Sequence, residues 1–366
     1  MIRTRRLLDA IAPYVPGSAG RDVEAALAAA RLASNERPQP PAAPVVAAIS
    51  AAAAAANRYP DDDVTELTGA IAATFGVDTA MVAVGNGSSE LLARFALATC
   101  DPGDNVVFAW PSFVMYPILA QLTGAEVRRV PLVSGRHDLA AMAAAVDART
   151  RIVYVCTPNN PTGCAVAADE LSALLDAVPG DVLVVLDEAY AEYVDRSADP
   201  CVHADGVASV VRGGLHPNAV VLRTFSKAYG LAGLRCGYAI GDGDVLAQLG
   251  RVRLPFVVNA LAQHAARAAL AHREECLAPV AGTIAERGRV RDALVATGLD
   301  VPESHGNFVW VAVPGAAAEL AGECERAGVL VRPLGADGVR VTVGTEAEND
   351  RFLDVSTAWN AARRRR

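Results

Sequence analysis

The sequence predicts an α/β protein with a mainly parallel sheet between helices, followed by a smaller α+β domain. Four short apolar runs predict buried strands: 106–110, 151–158, 181–190 and 219–226. Their nearly continuous apolar character is typical of strands covered on both faces, as in a parallel sheet. Helical segments lie between these runs, and this alternation favours an α/β fold. After about residue 245 the pattern changes to a long helical stretch and short separate strands.

The order of these segments predicts three parts of the chain. Residues 1–44 form an N-terminal arm that docks on the rest of the protein. Residues 45–250 form the large domain, which contains the parallel sheet. Residues 251–366 form an interdomain helix and a small C-terminal domain, with strands in "SHGNFVWVAV", "VLVRPLG" and "VRVTVG".

Composition excludes several classes of protein. Hydrophobic residues make up 52% of the 366 residues and charged residues 20%, which is typical of a soluble globular protein. The net charge of −8 gives no support to nucleic-acid binding. The sequence contains no run of about 18 uncharged apolar residues, so it predicts no membrane span. Pro13 and Pro16 interrupt the N-terminal segment, so it does not resemble a signal peptide, and we expect a cytoplasmic protein.

Cysteine and histidine patterns predict no metal site. The seven cysteines are scattered and form no C-x-x-C motif, which argues against a disulfide framework or a zinc site. The six histidines show no ligand spacing either. Any catalytic groups are therefore expected among other residue types.

The chain contains a single lysine, Lys227, and the other 32 of its 33 basic residues are arginine. Arginine stays protonated in proteins, whereas lysine can lose its proton and attack a carbonyl to form a Schiff base. Lys227 follows the apolar run 219–226, and open α/β sheets place their ligands at the carboxyl ends of strands. These observations favour amine chemistry over a surface lysine without a role.

A Schiff-base lysine suggests pyridoxal phosphate (PLP) as the cofactor. PLP needs an anion at its ring nitrogen, hydrogen-bond partners at its phenolic oxygen and a phosphate site. Asp187 ends another apolar run and could supply the anion, although an acid there could also cap a helix. Tyr190 and Asn160 could reach the phenolic oxygen, but a packed tyrosine and a plain "TPNNPTG" turn are the alternatives.

The segment "VGNGSSE" (84–90) predicts a phosphate site. Gly85 and Gly87 permit close backbone approach, and the amides of Ser88 and Ser89 would lie at a helix N-terminus. Serine also caps helices for structural reasons alone. Three residues near the lysine could complete the site: Thr224, Ser226 and Arg235.

The motifs "TFSKAYGLAGLRCGY", "TPNNPTG", "DEAY" and "RVTVG" resemble, in order and spacing, those of the class I/II aminotransferases of PLP fold type I. A narrower likeness joins the chain to histidinol-phosphate aminotransferases and bacterial aromatic (phenylalanine) aminotransferases. Six motifs carry it: "PYVPG", "ASNE", "NRYPD", "GNGSSE", "GNFVW" and "VRPLG". The resemblance implies an aspartate-aminotransferase-like fold that binds PLP in the large domain.

The resemblance also implies a role for each cofactor residue. Lys227 binds the cofactor and moves protons at the substrate α-carbon, while Asp187 pairs with the ring nitrogen. The remaining positions are Asn160 and Tyr190 at the phenolic oxygen, Phe113 stacked on the ring, and Ser88, Ser89, Thr224, Ser226 and Arg235 at the phosphate. Tyr59 matches a tyrosine that reaches the phosphate of the partner subunit, which implies a homodimer with shared sites.

On the substrate side, Arg340 matches the arginine that grips the substrate α-carboxylate as a bidentate fork. From composition alone it is one arginine among many. Arg332, Tyr14 and Asn35 match other positions that line the substrate side. Arg332 could meet either a phosphate or a carboxylate of the substrate.

Two positions depart from the pattern of the relatives. Pro40, in "RPQPP", stands where they usually have glycine. Because proline fixes φ and cannot imitate glycine, we expect a substrate-side loop of different shape. Ser89 replaces an aspartate of the phosphate loop, with little expected effect because backbone amides bind the phosphate.

The resemblance implies ping-pong transamination through pyridoxamine phosphate, with 2-oxoglutarate as the expected acceptor. The amino donor is an aromatic amino acid or histidinol phosphate, and "VVLRTFSKAYGLAGLR" favours the aromatic donor slightly. A PLP decarboxylase of the threonine-phosphate type is the first alternative. A non-enzymatic PLP-binding module is the second, but it would need a DNA-binding region before residue 13, where we expect no room for one.

Overall fold

Strands and helices alternate along residues 5–11, 29–195, 203–211 and 216–365, which the computed structural model describes. The strands are β1 (Ala30–Arg31), β2 (Val82–Gly85), β3 (Asn105–Trp110), β4 (Glu126–Pro131), β5 (Thr150–Cys156), β6 (Leu183–Asp187), β7 (Ala219–Thr224), β8 (Gly237–Gly241), β9 (Phe308–Ala312), β10 (Val329–Leu330), β11 (Arg332–Leu334) and β12 (Gly338–Thr342).

Helices connect most of these strands. They are α1 (Ala43–Ala53), α2 (Thr65–Phe75), α3 (Ser88–Thr99), α4 (Met115–Thr123), α5 (Leu139–Ala144), α6 (Ala168–Ala177), α7 (Gly243–Gly250), α8 (Ala260–Ala271), α9 (Arg273–Leu277), α10 (Pro279–Ala296), α11 (Ala317–Arg326) and α12 (Glu346–Arg364). No helix in the described ranges is both long and apolar enough to cross a membrane.

The main sheet has seven strands in the order β2, β8, β7, β6, β5, β3, β4. The strand β8 runs antiparallel to both of its neighbours, and the other adjacent pairs are parallel. This arrangement confirms the predicted α/β fold with a mainly parallel sheet. Because β5, β6 and β7 are parallel neighbours, their carboxyl ends meet at one edge of the sheet.

The central strands are buried on both faces, as their apolar sequences predict. In β6, Val184 and Leu186 pack into one hydrophobic cluster, whereas Leu183 and Val185 pack into another. Successive side chains of a strand point to opposite faces, so the two clusters lie on opposite sides of the sheet. Burying one such side chain stabilises the fold by about 1.5–3 kcal/mol.

A second, smaller group of strands lies near the C-terminus. The strands β11, β12 and β9 form an antiparallel sheet in that order. The short strand β1 pairs in parallel with β10, so the segment before α1 attaches to this C-terminal part. The carbonyl of Leu32 also accepts a hydrogen bond from the amide of Thr342 in β12. These contacts hold residues 30–35 beside the edge of the main sheet where β5, β6 and β7 end.

Candidate active site

A cavity of about 320 Å³ lies where the carboxyl ends of β5, β6 and β7 meet the beginning of α3. It brings together twelve of the residues predicted from the sequence. They are Ser88, Ser89, Phe113, Asn160, Asp187, Tyr190, Thr224, Ser226, Lys227, Arg235, Arg332 and Arg340. The cavity is therefore the candidate active site.

Lys227 lies three residues after the end of β7, in the cavity wall. Its Nζ donates a hydrogen bond to the carbonyl of Ser34 at 3.2 Å and lies 5.9 Å from the centre of the Tyr190 ring. Burial lowers the pKa of Lys227 to about 7, and the guanidinium groups of Arg340 and Arg235 act in the same direction. A large fraction of this amine is therefore neutral, and thus nucleophilic, near neutral pH.

Asp187 is the last residue of β6, and its two carboxylate oxygens have different surroundings. Oδ2 accepts a 2.8 Å hydrogen bond from the hydroxyl of Tyr116. Oδ1 is buried without a hydrogen-bond partner. Burial raises the pKa of Asp187 to about 6, although the Tyr116 bond opposes the shift. A buried oxygen without a donor is costly, so this site suits a ligand that brings a proton or a positive charge to it.

The neighbouring acid, Glu188, has a different environment. Its Oε2 accepts hydrogen bonds of 2.9 and 2.8 Å from Arg223 of β7, and its Oε1 accepts one from the amide of Gly206. The buried Glu188–Arg223 pair is thus satisfied within the protein. Only Asp187 of the two acids lines the cavity.

Tyr116 is a site residue that the sequence reasoning missed. It is fully buried, and its ring stacks on that of Tyr154 with centroids 4.5 Å apart. The ring of Phe113, which lines the cavity, meets Tyr116 edge-on at 5.6 Å. The sequence contains only a weak indication of this role, because a tyrosine in "WPSFVMYP" predicts helix packing as readily as a hydrogen bond to a distant strand.

The phosphate side of the cavity contains the start of α3. Ser88 and Ser89 are its first two residues, where backbone amides have no partner within the helix. Gly87 has φ of +79°, and a Cβ there would lie 2.5 Å from Nη2 of Arg235. The missing side chain thus lets the guanidinium approach the helix N-terminus, which favours an anion at this point.

The hydroxyl groups of Thr224 and Ser226, which lie just before Lys227 in the chain, also line the cavity. The hydroxyl of Thr224 is 3.0 Å from that of Ser226 and 3.2 Å from the carbonyl of Cys236. Thr224 Oγ1 also accepts a hydrogen bond from the amide of Ser226. These bonds fix the first turn of the loop that carries Lys227.

The substrate side is built around Arg340 of β12. Its Nη1 donates to Oδ1 of Asn160 at 2.7 Å, and its Nη2 donates to the carbonyl of Ala33 at 2.6 Å. The side chain of the adjacent Asn159 instead forms hydrogen bonds within the protein. It accepts one from Ser112 at 2.7 Å and donates one to Thr162 at 2.9 Å. Of the two consecutive asparagines, Asn160 faces the cavity.

Asn35 contacts a cavity residue rather than lining the cavity itself. Its Nδ2 donates to the hydroxyl of Tyr190 at 2.9 Å, and its backbone amide donates to Oγ1 of Thr342 at 2.8 Å. Asn35 is fully buried. It therefore connects Tyr190 to β12 through two hydrogen bonds. Burial separately raises the pKa of Tyr190 to about 12.

Residues 29–355 match the family described as "Aminotransferase class I and II". The chain belongs to this family. An aromatic amino acid aminotransferase of Rhodococcus opacus (strain B4) is 52% identical over 360 residues, which cover 98% of this chain and 96% of that protein. A protein of the same name from Thermobifida fusca (strain YX) is 50% identical over 357 residues, covering 97% of this chain and 96% of its own length.

Solved structures agree with this assignment. The histidinol-phosphate aminotransferase of Sinorhizobium meliloti, solved in complex with pyridoxal-5'-phosphate, superposes with a TM-score of 0.87 at 28% identity. The match covers 99% of this chain and 98% of that one. The aminotransferase described here therefore has PLP fold type I, and the prediction of an aminotransferase is confirmed.

The proline-rich segment of this aminotransferase is held by Arg37. The Nη1 of Arg37 donates to the carbonyls of Ala228 and Cys276 at 2.9 and 2.8 Å, and Nη2 donates to the carbonyl of Pro40 at 2.7 Å. Arg37 thus joins the segment around Pro40 to the residue directly after Lys227 and to the end of α9.

Besides Asn35, one predicted residue of the described part of the chain does not line this cavity. Tyr59 is 81% exposed, and its ring stacks on Phe256 with centroids 4.5 Å apart, away from the cavity of its own chain. Tyr14 lies outside the described residues. The predicted roles of both stay predictions.

Proposed function

We propose that this aminotransferase binds PLP at Lys227 and transfers the amino group of an aromatic L-amino acid to a 2-oxo acid such as 2-oxoglutarate. One observation supports this most strongly. The only lysine of the chain, with its pKa lowered to about 7, shares a cavity with the unpartnered, buried Oδ1 of Asp187.

The residues of the cavity fit PLP. A protonated pyridine nitrogen would give Oδ1 of Asp187 the donor that it lacks. The phosphate would lie against the amides at the start of α3, beside the guanidinium of Arg235. Tyr190 and Asn160 would bind the phenolic oxygen, and Phe113 would cover the ring.

When bound, PLP supplies an electron-withdrawing ring that stabilises negative charge at the substrate α-carbon. The protein must place its own groups around that carbon. Lys227 can take a proton from the α-carbon and return it, because its amine has a pKa near neutral pH. Asp187 would keep the ring nitrogen protonated by pairing with it, since the buried carboxylate has no other cationic partner at Oδ1.

Arg340 would orient the substrate through its α-carboxylate. Its guanidinium lies in the cavity wall, where Asn160 and the carbonyl of Ala33 fix its plane. A fixed planar fork matches the two oxygens of a carboxylate better than an ammonium does. Arg332 lies in the same wall and offers a second cation for a distal acidic group of the acceptor.

The donor class rests on the sequence relatives. The two relatives named above as aromatic amino acid aminotransferases are 52% and 50% identical over almost their whole length. The histidinol-phosphate enzyme, at 28% identity, is a more distant relative. An L-threonine-O-3-phosphate decarboxylase of Porphyromonas gingivalis, at 24% identity, shows a shared fold alone.

We also propose a homodimer in which Tyr59 completes the partner's site. Tyr59 and Phe256 form a stacked aromatic pair on the surface, with 81% and 41% of each residue exposed. Aromatic residues are enriched at protein–protein interfaces relative to the rest of a protein surface. A Tyr59→Ala variant should then weaken PLP binding while the dimer persists. Unchanged PLP affinity in that variant would count against the shared site.

A half-reaction screen tests the donor proposal. The PLP-loaded protein is mixed with phenylalanine, tyrosine, histidinol phosphate or aspartate, without any 2-oxo acid, and the cofactor absorbance is followed. We expect rapid bleaching with phenylalanine and tyrosine, and recovery of the absorbance when 2-oxoglutarate is added. Bleaching by histidinol phosphate alone would overturn the aromatic donor, and release of carbon dioxide would indicate a decarboxylase.

A further inference from the structure

We propose that the ion pair between Glu90 and Arg94 in α3 is a positioning pair, which shapes the phosphate loop and sets how strongly that loop favours a phosphorylated ligand. The inference rests on the proposed PLP function. It concerns two residues that do not line the cavity, and it assigns to Arg94 the compensation of the negative charge of Glu90.

The pair is bidentate and largely enclosed. Nε of Arg94 donates to Oε1 of Glu90 at 2.5 Å, and Nη2 donates to Oε2 at 2.8 Å. The side chain of Arg94 is 4% exposed and that of Glu90 23%. Such a planar double contact holds both side chains in one orientation, unlike a mobile surface pair.

The same carboxylate holds the loop that leads to Ser88. Oε2 of Glu90 accepts a hydrogen bond from the amide of Asn86 at 3.3 Å, and a Cβ on Gly85 would overlap this oxygen. Arg94 adds a contact from Nη2 to the carbonyl of Val84 at 3.3 Å. The pair therefore links the end of β2, the loop and the first turn of α3.

The position of Glu90 creates an electrostatic problem that Arg94 removes. Glu90 is the acidic residue of the first turn of α3, the turn whose amides face the phosphate side of the cavity. A carboxylate stabilises a helix N-terminus, but it repels a phosphate that binds at the same N-terminus. Arg94 neutralises the carboxylate, so Glu90 can hold the loop without opposing an anionic ligand.

Affinities for PLP and for pyridoxal, which lacks the phosphate, test this inference. The ligand-free protein is titrated with each aldehyde in the wild type, Arg94→Gln, Glu90→Gln and the double variant. We expect Arg94→Gln to weaken PLP binding roughly tenfold, or ~1.4 kcal/mol. Pyridoxal binding should change by less than about twofold, because pyridoxal lacks the phosphate group whose negative charge Glu90 would repel. The double variant should recover PLP affinity to within about threefold of the wild type, since the uncompensated carboxylate is gone.

Several outcomes would overturn the inference. Equal losses for PLP and pyridoxal, or no recovery in the double variant, would mean that the pair only stabilises the fold. If Arg94→Gln does not fold, Glu90→Gln alone decides, because it removes the carboxylate, keeps Arg94 and should increase the preference for PLP over pyridoxal. An unchanged or decreased preference in Glu90→Gln would contradict the inference.

A control and the wild type separate this inference from the proposed function. Arg326→Gln removes an arginine from a surface pair with Glu323 in α11, and it should leave both affinities unchanged. A wild type that binds PLP no better than pyridoxal would overturn the phosphate site itself. A wild type that prefers PLP, with variants that match it, would overturn only the role of Glu90 and Arg94.

Discussion

The hydroxyl of Tyr116 donates a 2.8 Å hydrogen bond to Oδ2 of Asp187 and leaves Oδ1 of the same carboxylate buried and without a partner. This contact orients the acid from one side only. It also lowers the pKa of Asp187, against the larger upward effect of burial. Tyr116 thus keeps the carboxylate more acidic than burial alone would, and we infer that it helps Asp187 to pair with a cationic ring nitrogen.

Replacing Tyr116 by phenylalanine tests this contact. The variant keeps the ring that stacks on Tyr154 but removes the donor to Asp187. The pKa of Asp187 should rise, and PLP affinity should fall by about 5- to 20-fold, since a hydrogen bond to a charged group contributes ~1.5 kcal/mol or more. Tyr154→Phe is a matched control, because the Tyr154 hydroxyl is buried without a hydrogen-bond partner. Equal effects of the two variants would argue against a special role for Tyr116.

The raised pKa of Asp187 predicts a pH-dependent stability of the ligand-free protein. Burial raises this pKa from 3.8 to about 6, so the folded state keeps a proton that the unfolded state releases in this interval. The stabilising contribution of the protonated Asp187 is therefore fully present below the unfolded pKa of 3.8. It is lost as the pH rises through the folded pKa of about 6. Relative to the wild type, Asp187→Asn should gain about 2–3 kcal/mol in unfolding free energy between pH 4 and pH 8.

Denaturant unfolding of both proteins at several pH values measures this difference. PLP should reverse the trend in the wild type, because the ring nitrogen compensates the ionised carboxylate, but it should do so much less in Asp187→Asn. A stability difference that does not vary with pH would show that Asp187 titrates like an exposed acid.

Lys227 should react as an unusually acidic amine. Its pKa is lowered from 10.5 to about 7, mainly by burial, so the ligand-free folded chain should be labelled by an amine-specific reagent at neutral pH. Peptide-level mass spectrometry should give a labelling midpoint near pH 7 at Lys227. The same peptide in the urea-unfolded chain is the control, with a midpoint near the ordinary value of lysine. Identical midpoints in the two states would contradict the lowered pKa.

Arg340→Lys should lower kcat/KM for every donor that has an α-carboxylate. The variant keeps a positive charge but loses the fork that Asn160 and Ala33 hold in place. We expect a loss of about 10- to 100-fold, because charge-assisted hydrogen bonds contribute roughly 1.5–3 kcal/mol each. The surface variant Arg326→Lys serves as a control for the arginine-to-lysine change. Unchanged kinetics in Arg340→Lys would place Arg340 outside substrate binding.

Much of the fold was predictable because the central strands of the main sheet are buried on both faces. The short runs that form β5, β6 and β7 are almost continuously apolar, so they could be identified without knowledge of their partners. Residues that directly follow these strands were then expected at one edge of the sheet. This reasoning found Lys227, Asp187 and Asn160, which do line one cavity.

Residues whose role depends on tertiary contacts were harder to predict. Tyr116 lies in a helix 71 residues before Asp187 in the chain. Nothing in the sequence around Tyr116 indicates a contact with Asp187. The separate roles of Asp187 and Glu188 depend on the pleat of β6 and on Arg223 in the neighbouring strand. Arg37 likewise serves carbonyl groups from three segments, a role that composition cannot reveal.

The most direct test of the account is to find where the cofactor attaches. The protein is loaded with PLP, reduced with borohydride, digested and analysed by mass spectrometry. We predict that the reduced cofactor is recovered on the peptide containing Lys227 and on no other peptide, and that Lys227→Arg traps none. Recovery of the cofactor on another residue, or failure of the wild type to retain any, would contradict the assignment of the single lysine.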